Sequence, residues 1–245
     1  MKDVVVILGP TAVGKSALAV SLAQKLNGEI ISADATQVYK GLNIGAAKVT
    51  KEEMGGIKHH LIDILDFTEK FNAFMFVDLA KKLLDDIISR GKTPIIVGGT
   101  NLYISALIKN YAFEKSDKGE EIYENKYPLK YHLFALNFAD RQKLYQRINL
   151  RVEKMLNTGL VEEVKALKQQ GLNLNLQAGK GIGYREILLW LDGVMSYTEA
   201  VDKICQHSRN FAKRQLTWLR SMENLVWLDA LDENNTQKVL DFIRK

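Results

Sequence analysis

The sequence predicts an α/β fold: a P-loop NTPase-like parallel sheet flanked by helices, with a mainly helical C-terminal half and a truncated insertion between the two. Three observations carry this. The chain opens on consecutive apolar, mostly β-branched residues, Val4 to Leu8, the pattern of a strand buried on both faces. That run enters Gly9-Pro10-Thr11-Ala12-Val13-Gly14-Lys15-Ser16, a glycine-bounded loop that in turn opens a helical stretch. Strand-like and helix-like runs then alternate, which implies right-handed βαβ crossovers and a parallel sheet.

Taken in order, Asp3 to Leu8 reads as the first strand. A helix follows over Gly14 to Leu26, stopped by Asn27-Gly28. Glu29 to Ser32 is a second short strand and Leu61 to Ile64 a further one. Phe74 to Ser89 is helical, with Gly91 just past its end. Pro94 to Val97 is a buried strand that runs into Gly98-Gly99-Thr100, and Leu102 to Ile108 is a short helix. Lys109 to Lys130 breaks the pattern: it is charged, contains Gly119 and Pro128, and has little periodicity, so it reads as a linker or short insertion. Tyr131 to Leu136 resumes as a strand. Arg141 to Leu156, Val161 to Gln170, Tyr184 to Trp190 and Tyr197 to Leu219 are mainly helical, Leu225 to Leu228 is a late strand, and Thr236 to Ile243 a closing helix. The expected organisation is a P-loop catalytic core at 1–108, a shortened connection at 109–130, and the rest of the core with a helical region at 131–245.

Composition narrows the class. The 245 residues are 47% apolar and 26% charged, enough to bury a large core and unlike a disordered chain. No stretch is apolar for the length of a membrane span, and the first apolar run is too short for a secretory signal. The single cysteine, Cys205, excludes an internal disulfide framework or a multi-cysteine metal site, and a reducing cytoplasm is the expected compartment. The formal net charge is +5, with a pI near 9.1. Lys203, Arg209, Lys213, Arg214 and Arg220 fall in one stretch that holds no Asp or Glu, which points to a polyanionic partner.

The glycine-bounded loop carries the clearest chemistry. Small residues let backbone N–H groups turn toward a phosphate, and the following helix N-terminus adds partial positive charge. Gly9, Thr11, Ala12, Val13 and Gly14 form the cradle, Lys15 supplies a full charge, and Ser16 offers a hydroxyl to Mg²⁺. Loops of this type occur in nucleotide- and ATP-binding proteins, but the motif establishes phosphate binding rather than ATP. Asp34 follows the second strand, where loops line the ligand crevice of an open parallel sheet. It suits a metal ligand or a base, or else the cap of a turn. Gly98-Gly99-Thr100 faces the same crevice and lacks the strand-end Asp that many nucleotide hydrolases use for Mg²⁺.

Other residues have plainer readings. His59 and His60 are neighbours on a strand, so they point to opposite faces and do not form a metal pair. Phe71, Phe74 and Phe76 are spaced as core rather than as a base-stacking platform. Arg141, Arg147 and Arg151 are either a solvated face or a phosphate-facing cluster. Phe211-Ala212-Lys213-Arg214-Gln215-Leu216-Thr217-Trp218 mixes basic, amide and aromatic groups. That mix suits RNA backbone and unstacked bases, and equally an amphipathic helix with Phe211 and Trp218 in the core.

Taken jointly, these blocks resemble the tRNA dimethylallyltransferase (tRNA isopentenyltransferase) family. The match runs through Gly9 to Ser16, Ser32-Ala33-Asp34 to Gly41, Ile44-Gly45-Ala46-Ala47-Lys48, His59-His60-Leu61-Ile62-Asp63 and Gly98-Gly99-Thr100-Asn101-Leu102-Tyr103. It continues through Arg141 to Arg151, Gly181-Ile182-Gly183-Tyr184-Arg185-Glu186 and Ala212 to Trp218. The resemblance implies that the loop holds the diphosphate of dimethylallyl diphosphate. Asp34 would act as general base on the exocyclic amine of the adenosine 3′ of the anticodon. Thr100 would contact that nucleotide, and Arg141 would stabilise the departing diphosphate. Asp34, Ala35, Thr36, Gln37, Lys213, Arg214 and Gln215 would contact the tRNA anticodon stem-loop, with Arg209 adding to the basic grip. The expected cofactor is Mg²⁺, and a monomer is expected. Ala35-Thr36 stands where Ser-Met is commoner in the family, and Ala46 where Thr is usual. Between Asn110 and Tyr131 the family's longer helical insertion, with its basic Gln-Arg-x-x-Arg stretch, is missing.

Overall fold

The computed structural model describes residues 1–111 and 122–244. Its centre is one six-stranded, all-parallel sheet. The strands are β1 (Lys2–Leu8), β2 (Gly28–Ala33), β3 (His59–His60), β4 (Thr93–Gly98), β5 (Leu129–Asn137) and β6 (Leu225–Asp229), in the spatial order β3-β2-β4-β1-β5-β6. The run Val4 to Leu8 is fully buried because β1 lies between β4 and β5 with helices on both faces. The order reverses at β1: the chain moves outward to β2 on one side and later to β5 on the other. That switch opens a crevice at the C-terminal ends of the strands.

The helices are α1 (Lys15–Leu26), α2 (Ala73–Ser89), α3 (Asn101–Ile108), α4 (Arg141–Asn157), α5 (Leu160–Gln169), α6 (Tyr184–Leu191), α7 (Tyr197–Arg220) and α8 (Asn235–Ile243). Most expected boundaries fall within one or two residues of these. α1 ends as the sequence requires, with Asn27 left-handed at φ 47° and its N–H bonded to Ala23 O. Asn72 caps α2 through Met75 N, and Asp140 caps α4 through Gln142 N.

One expected strand is absent. Leu61 to Ile64 is a bend rather than a strand, and the ladder partner of β2 is the dipeptide before it. Leu61 and Asp63 have φ of 60° and 55°, which no strand accommodates. Leu61 is buried there, so its apolar character reflects packing and not extension.

The two histidines diverge as expected. His59 Nδ1 lies 2.9 Å from Ile57 O and His60 Nε2 2.8 Å from Glu29 Oε2. Glu29 is itself held by Arg90 and Lys92 at the end of the sheet away from the crevice. The Arg90 pairing holds its carboxyl well below the usual range. Phe71 and Phe76 are buried against Tyr103, and Phe76 stacks on it with ring centroids 4.8 Å apart. They are core, supporting α3 from below. Much of the connection 109–130, over 112–121, lies outside the described residues. Its return limb is pinned to α2: Tyr123 N–H donates to Asp78 (3.0 Å) and Lys126 N–H to Asp85 (2.7 Å).

Candidate active site

The crevice holds a cavity of about 490 Å³ whose walls include Thr11, Ala12, Asp34, Ala35, Thr36, Thr100, Arg151, Lys180, Phe211 and Arg214. Three loops at strand ends build it, and helices α4 and α7 close it.

The first loop joins β1 to α1. Ala12 and Gly14 are left-handed at φ 66° and 94°, which turns the loop back on itself. Lys15 Nζ donates to Pro10 O at 2.8 Å. Its ammonium sits deep among protein atoms even though part of the residue remains accessible. Burial first, and the neighbouring Arg151 second, push its pKa down to about 7, against an opposing pull from Asp34. Arg151 Nη1 donates to Thr11 Oγ1 at 2.9 Å. Burial also lowers the Arg151 pKa from its ordinary value, and the nearby Asp34 partly offsets this. The loop's Lys15, with Arg151 of α4 beside it, thus sets two basic groups together with no bonded carboxylate among the described residues, a strong attractor for a multiply charged anion. Gly9 does not line the cavity. A Cβ there would meet Leu136 O at 2.6 Å, so this glycine serves the close approach of the loop to β5.

The second loop follows β2. Asp34 Oδ1 accepts from Thr36 N–H (2.8 Å) and Gln37 N–H (3.3 Å). The turn-capping and crevice-facing readings of Asp34 thus both hold. Oδ1 is spent on the turn, while Oδ2 has no hydrogen bond among the described residues and the side chain lines the cavity. The third loop follows β4. Gly98 comes so near β2 that a Cβ would lie 2.3 Å from Ala33 O. Thr100 Oγ1 accepts from Ala35 N–H at 3.1 Å, which stitches the second loop to the third.

Several expected residues lie elsewhere. Arg141 is not in this cavity: its Nε donates to Tyr145 Oη (2.7 Å) and it lines a separate small cavity with Lys213 and Arg220. Register explains this, because Arg141 opens α4 whereas the loop lies beside Arg151, nearly three turns on. Gln37 is bonded inward, to Ser32 Oγ through Oε1 and to Ala46 O and Ala47 O through Nε2. Gln215 is 2% exposed. Its Oε1 accepts from Thr11 N–H and its Nε2 donates to Gly99 O, both at 2.9 Å. It bolts α7 to two of the three loops and presents no surface to RNA. A Cβ on Gly99 would fall 2.1 Å from Gln215 Nε2, so a larger residue there would have to displace that amide. Arg209 donates to Asn149 of α4 (2.8 Å). Among the basic residues of α7 it is Arg214, with its guanidinium 5.8 Å from the Phe211 ring, that reaches the crevice.

Two blocks without an assigned role prove to be scaffolding for the wall. Glu163 of α5 accepts from Ile44 N–H (2.8 Å) and Gly45 N–H (3.2 Å), and Tyr184 Oη donates to it (2.6 Å). A Cβ on Gly45 would meet the Tyr184 ring at 2.5 Å. A second cavity, about 780 Å³, lies behind this wall and shares Arg151 and Met155 with the first. It is bounded by Ser16, Val20, Ile44, Val49 and Lys48.

No described residues form a cluster of three or more His, Cys, Asp or Glu able to hold a metal. Ser16 fits a magnesium site of another kind. Its hydroxyl is in no hydrogen bond among the described residues and borders both the loop and the second cavity. One protein hydroxyl plus the oxygens of a bound phosphate is a usual magnesium environment.

A family model described as IPP transferase matches residues 37–127 and 114–222. A tRNA dimethylallyltransferase from Anoxybacillus flavithermus (strain DSM 21510 / WK1) is 39% identical over 300 aligned positions, covering 99% of this chain and 96% of that protein. The crystal structure of the full-length tRNA isopentenylpyrophosphate transferase from Bacillus halodurans superimposes with a TM-score of 0.90. It is 36% identical, with 100% of this chain and 96% of that one covered. A eukaryotic dimethylallyltransferase solved acting on tRNA matches with a TM-score of 0.86 at 27% identity, over 100% of this chain and 80% of that one. The 300 aligned positions exceed this chain's 245 residues, so at least 55 (300 − 245) have no residue here. The two pieces of the family match overlap at 114–127, inside the connection 109–130. Fold, loop geometry and near end-to-end similarity agree: the chain belongs to the IPP transferase family.

Proposed function

We propose that this chain transfers a dimethylallyl group from dimethylallyl diphosphate to the exocyclic amine of the adenosine 3′ of the anticodon in tRNA, releasing diphosphate. The observation that carries the reading is a two-cation phosphate cradle facing a carboxylate oxygen without a hydrogen bond across one cavity.

The residues divide the work as follows. The backbone of Thr11 to Ser16, with Lys15 and Arg151, binds the diphosphate. The second cavity, with Val20, Ile44 and Val49 in its wall, gives the donor a route to the loop from the side opposite the RNA. The target adenosine is turned out of its stack into the first cavity, between Thr100 and the Phe211–Arg214 face. The amine nitrogen attacks C1 of the donor and the bond from C1 to the bridging oxygen breaks. Asp34 Oδ2 takes the proton that the amine loses. Lys15, Arg151 and the loop N–H groups take up the negative charge that grows on the leaving diphosphate. Mg²⁺ held by Ser16 would supply further charge neutralisation to the diphosphate. Among the described residues no helix is long and apolar enough to cross a membrane; a cytoplasmic place of action is part of the proposal.

The competing reading, a small-molecule kinase, lacks the strand-end carboxylate that would position ATP-bound metal, since β4 runs into Gly99-Thr100. Mass analysis of tRNA after incubation with dimethylallyl diphosphate and Mg²⁺ tests the proposal. A five-carbon addition on the adenosine 3′ of the anticodon is expected. ATP turnover without tRNA, and no tRNA product, would overturn it.

A further inference from the structure

One polar side chain in the crevice wall has no part in the steps above. Asn101 follows Thr100 as the first residue of α3 and lines the crevice. Its Oδ1 is buried and accepts no hydrogen bond, and its Nδ2 donates none among the described residues. A buried carbonyl oxygen without a donor is unfavourable, and such a group in a native fold calls for a partner that arrives with water or a ligand. The other amides nearby are spent: Gln37 on Ser32, Ala46 and Ala47, and Gln215 on Thr11 and Gly99. Asn101 is the only carboxamide among the described residues that line the crevice.

A carboxamide sets an acceptor and a donor side by side in one plane. Adenine offers the complement on either side of its exocyclic amine, an N–H beside N7 on one edge and an N–H beside N1 on the other. Guanine carries a carbonyl oxygen at that position, which would meet the asparagine oxygen lone pair to lone pair. Asp34 and Asn101 follow neighbouring strands, β2 and β4, and the 3.1 Å bond from Ala35 N–H to Thr100 Oγ1 stitches their loops together. The crevice thus has two oxygens free to accept, Asp34 Oδ2 and Asn101 Oδ1, and a planar amine has two N–H groups to give. Rotation about χ2, soft in asparagine, decides which amide atom faces the base. The helix that carries the amide is firmly held: Ser105 Oγ accepts from Trp218 Nε1 at 3.0 Å, and Tyr103 stacks on Phe76.

We propose that Asn101 is a specificity-determining residue that reads the target base. Its Oδ1 accepts the amine N–H that Asp34 does not take, and its Nδ2 donates to the ring nitrogen beside that N–H. Adenine satisfies both atoms of the amide and guanine opposes one of them. The amine is held at both of its hydrogens, which fixes the plane of the base while its nitrogen faces the donor. This inference rests on the RNA acceptor proposed above.

The test uses the full chain, dimethylallyl diphosphate and anticodon stem-loop RNAs that carry adenosine, 7-deazaadenosine or 1-deazaadenosine at the target position. Both analogues keep the exocyclic amine, and each lacks one ring nitrogen. Single-turnover kcat/KM is measured for the wild type, Asn101→Ala and Asn101→Leu. The wild type should be slower by about tenfold on one of the two analogues, the effect of one donor left without its partner, and the analogue that is slow names the edge that is read. That penalty should vanish in both variants, which have no amide to lose a partner. Comparing proteins on the same RNA removes any change in the intrinsic reactivity of the amine. The binding preference for adenosine over inosine, which carries guanine's carbonyl, should narrow in the variants by a similar factor. Equal analogue effects in all three proteins, or an undiminished preference over inosine, overturn the proposal. Affinity for inorganic diphosphate, read by calorimetry, should stay at the wild-type value, which verifies that the variants are folded. A parallel loss of that affinity would make Asn101 a support of the crevice and also overturns the proposal. If the wild type adds no five-carbon group to the adenosine RNA, the acceptor reading fails first and this inference falls with it.

Discussion

Donor binding should take up a proton, and Lys15 should be the group that takes it. In the free enzyme, burial and the adjacent Arg151 hold the Lys15 ammonium near pKa 7. A diphosphate in the cradle brings several negative charges into contact and restores the ordinary high pKa. The free enzyme must therefore gain a proton whenever the pH lies above 7. Proton uptake should be close to zero at pH 6, about half a proton at pH 7 and nearly one at pH 8. The apparent Kd should scale as one plus ten to the power of the pH minus 7, giving about tenfold weaker binding at pH 8 and about a hundredfold at pH 9. The linkage to folding has the matching sign. The folded pKa lies below the unfolded one, so stability rises as pH climbs from about 7 toward the unfolded value of 10.5 and is lowest where the buried amine is charged. Calorimetry with inorganic diphosphate, in two buffers of different ionisation heat at each pH, reads the proton count. Lys15→Arg stays charged throughout, so the uptake at pH 8 that the wild type shows in excess of this variant separates Lys15 from every other group, the ionisations of diphosphate included. A wild-type protein with no proton uptake at pH 8, or an arginine variant with the same uptake, would refute the reasoning.

Three other outcomes follow from the same geometry. Asp34→Asn keeps an oxygen for the Thr36 and Gln37 N–H groups but cannot take a proton. The single-turnover rate should fall by about 10²–10⁴ while diphosphate affinity holds, measured by rapid quench and calorimetry. Gln215→Ala leaves Thr11 N–H and Gly99 C=O unpaired in a buried place, which should cost roughly 1–3 kcal/mol for each group in thermal or denaturant unfolding and weaken donor binding. Gln215→Glu should keep the first contact and lose the second. The RNA salt slope of this chain should be shallower than that of the Bacillus halodurans relative, which is 36% identical, on the expectation that the family's longer insertion adds phosphate contacts absent here. Equal slopes in a side-by-side titration would count against that account.

The sheet and the phosphate loop were legible in the sequence because both are local. A run of β-branched residues buried on two faces has few alternatives, and the loop's spacing fixes its own conformation. Asp34 was legible as crevice-lining for the same reason, since position after a parallel strand decides it. Side chains that arrive from distant segments were not. Arg141 and Arg151 share a helix, and nothing in their spacing says which end of α4 meets the loop. That depends on how α4 packs after β5. Gln215 sat in a basic, aromatic segment that reads as an RNA surface. Burial reverses the assignment, because its neighbours Ala212 and Leu219 carry α7 into the core on that face. The bend at Leu61 misled in the opposite way, since a buried apolar residue in a left-handed turn looks like strand in one dimension.

These corrections change how the two substrates are connected. The basic stretch of α7 is not a uniform RNA-facing surface. Successive residues face different tasks: Lys213 the small cavity beside Arg141, Arg214 the crevice, and Gln215 the backbone of the donor loop and of Gly99. One turn further, Trp218 Nε1 donates to Ser105 Oγ of α3 at 3.0 Å, fixing the helix to the element that follows Thr100. Helix α7 is thus bonded to the loop after β1, to the loop after β4 and to α3, which under the proposed function are the donor-binding and target-facing elements. Under that reading, RNA docking along α7 would bear on the reacting geometry through these short contacts. These contacts all lie outside the 109–130 connection, in a chain that lacks at least 55 positions of its alignment with the Anoxybacillus flavithermus relative.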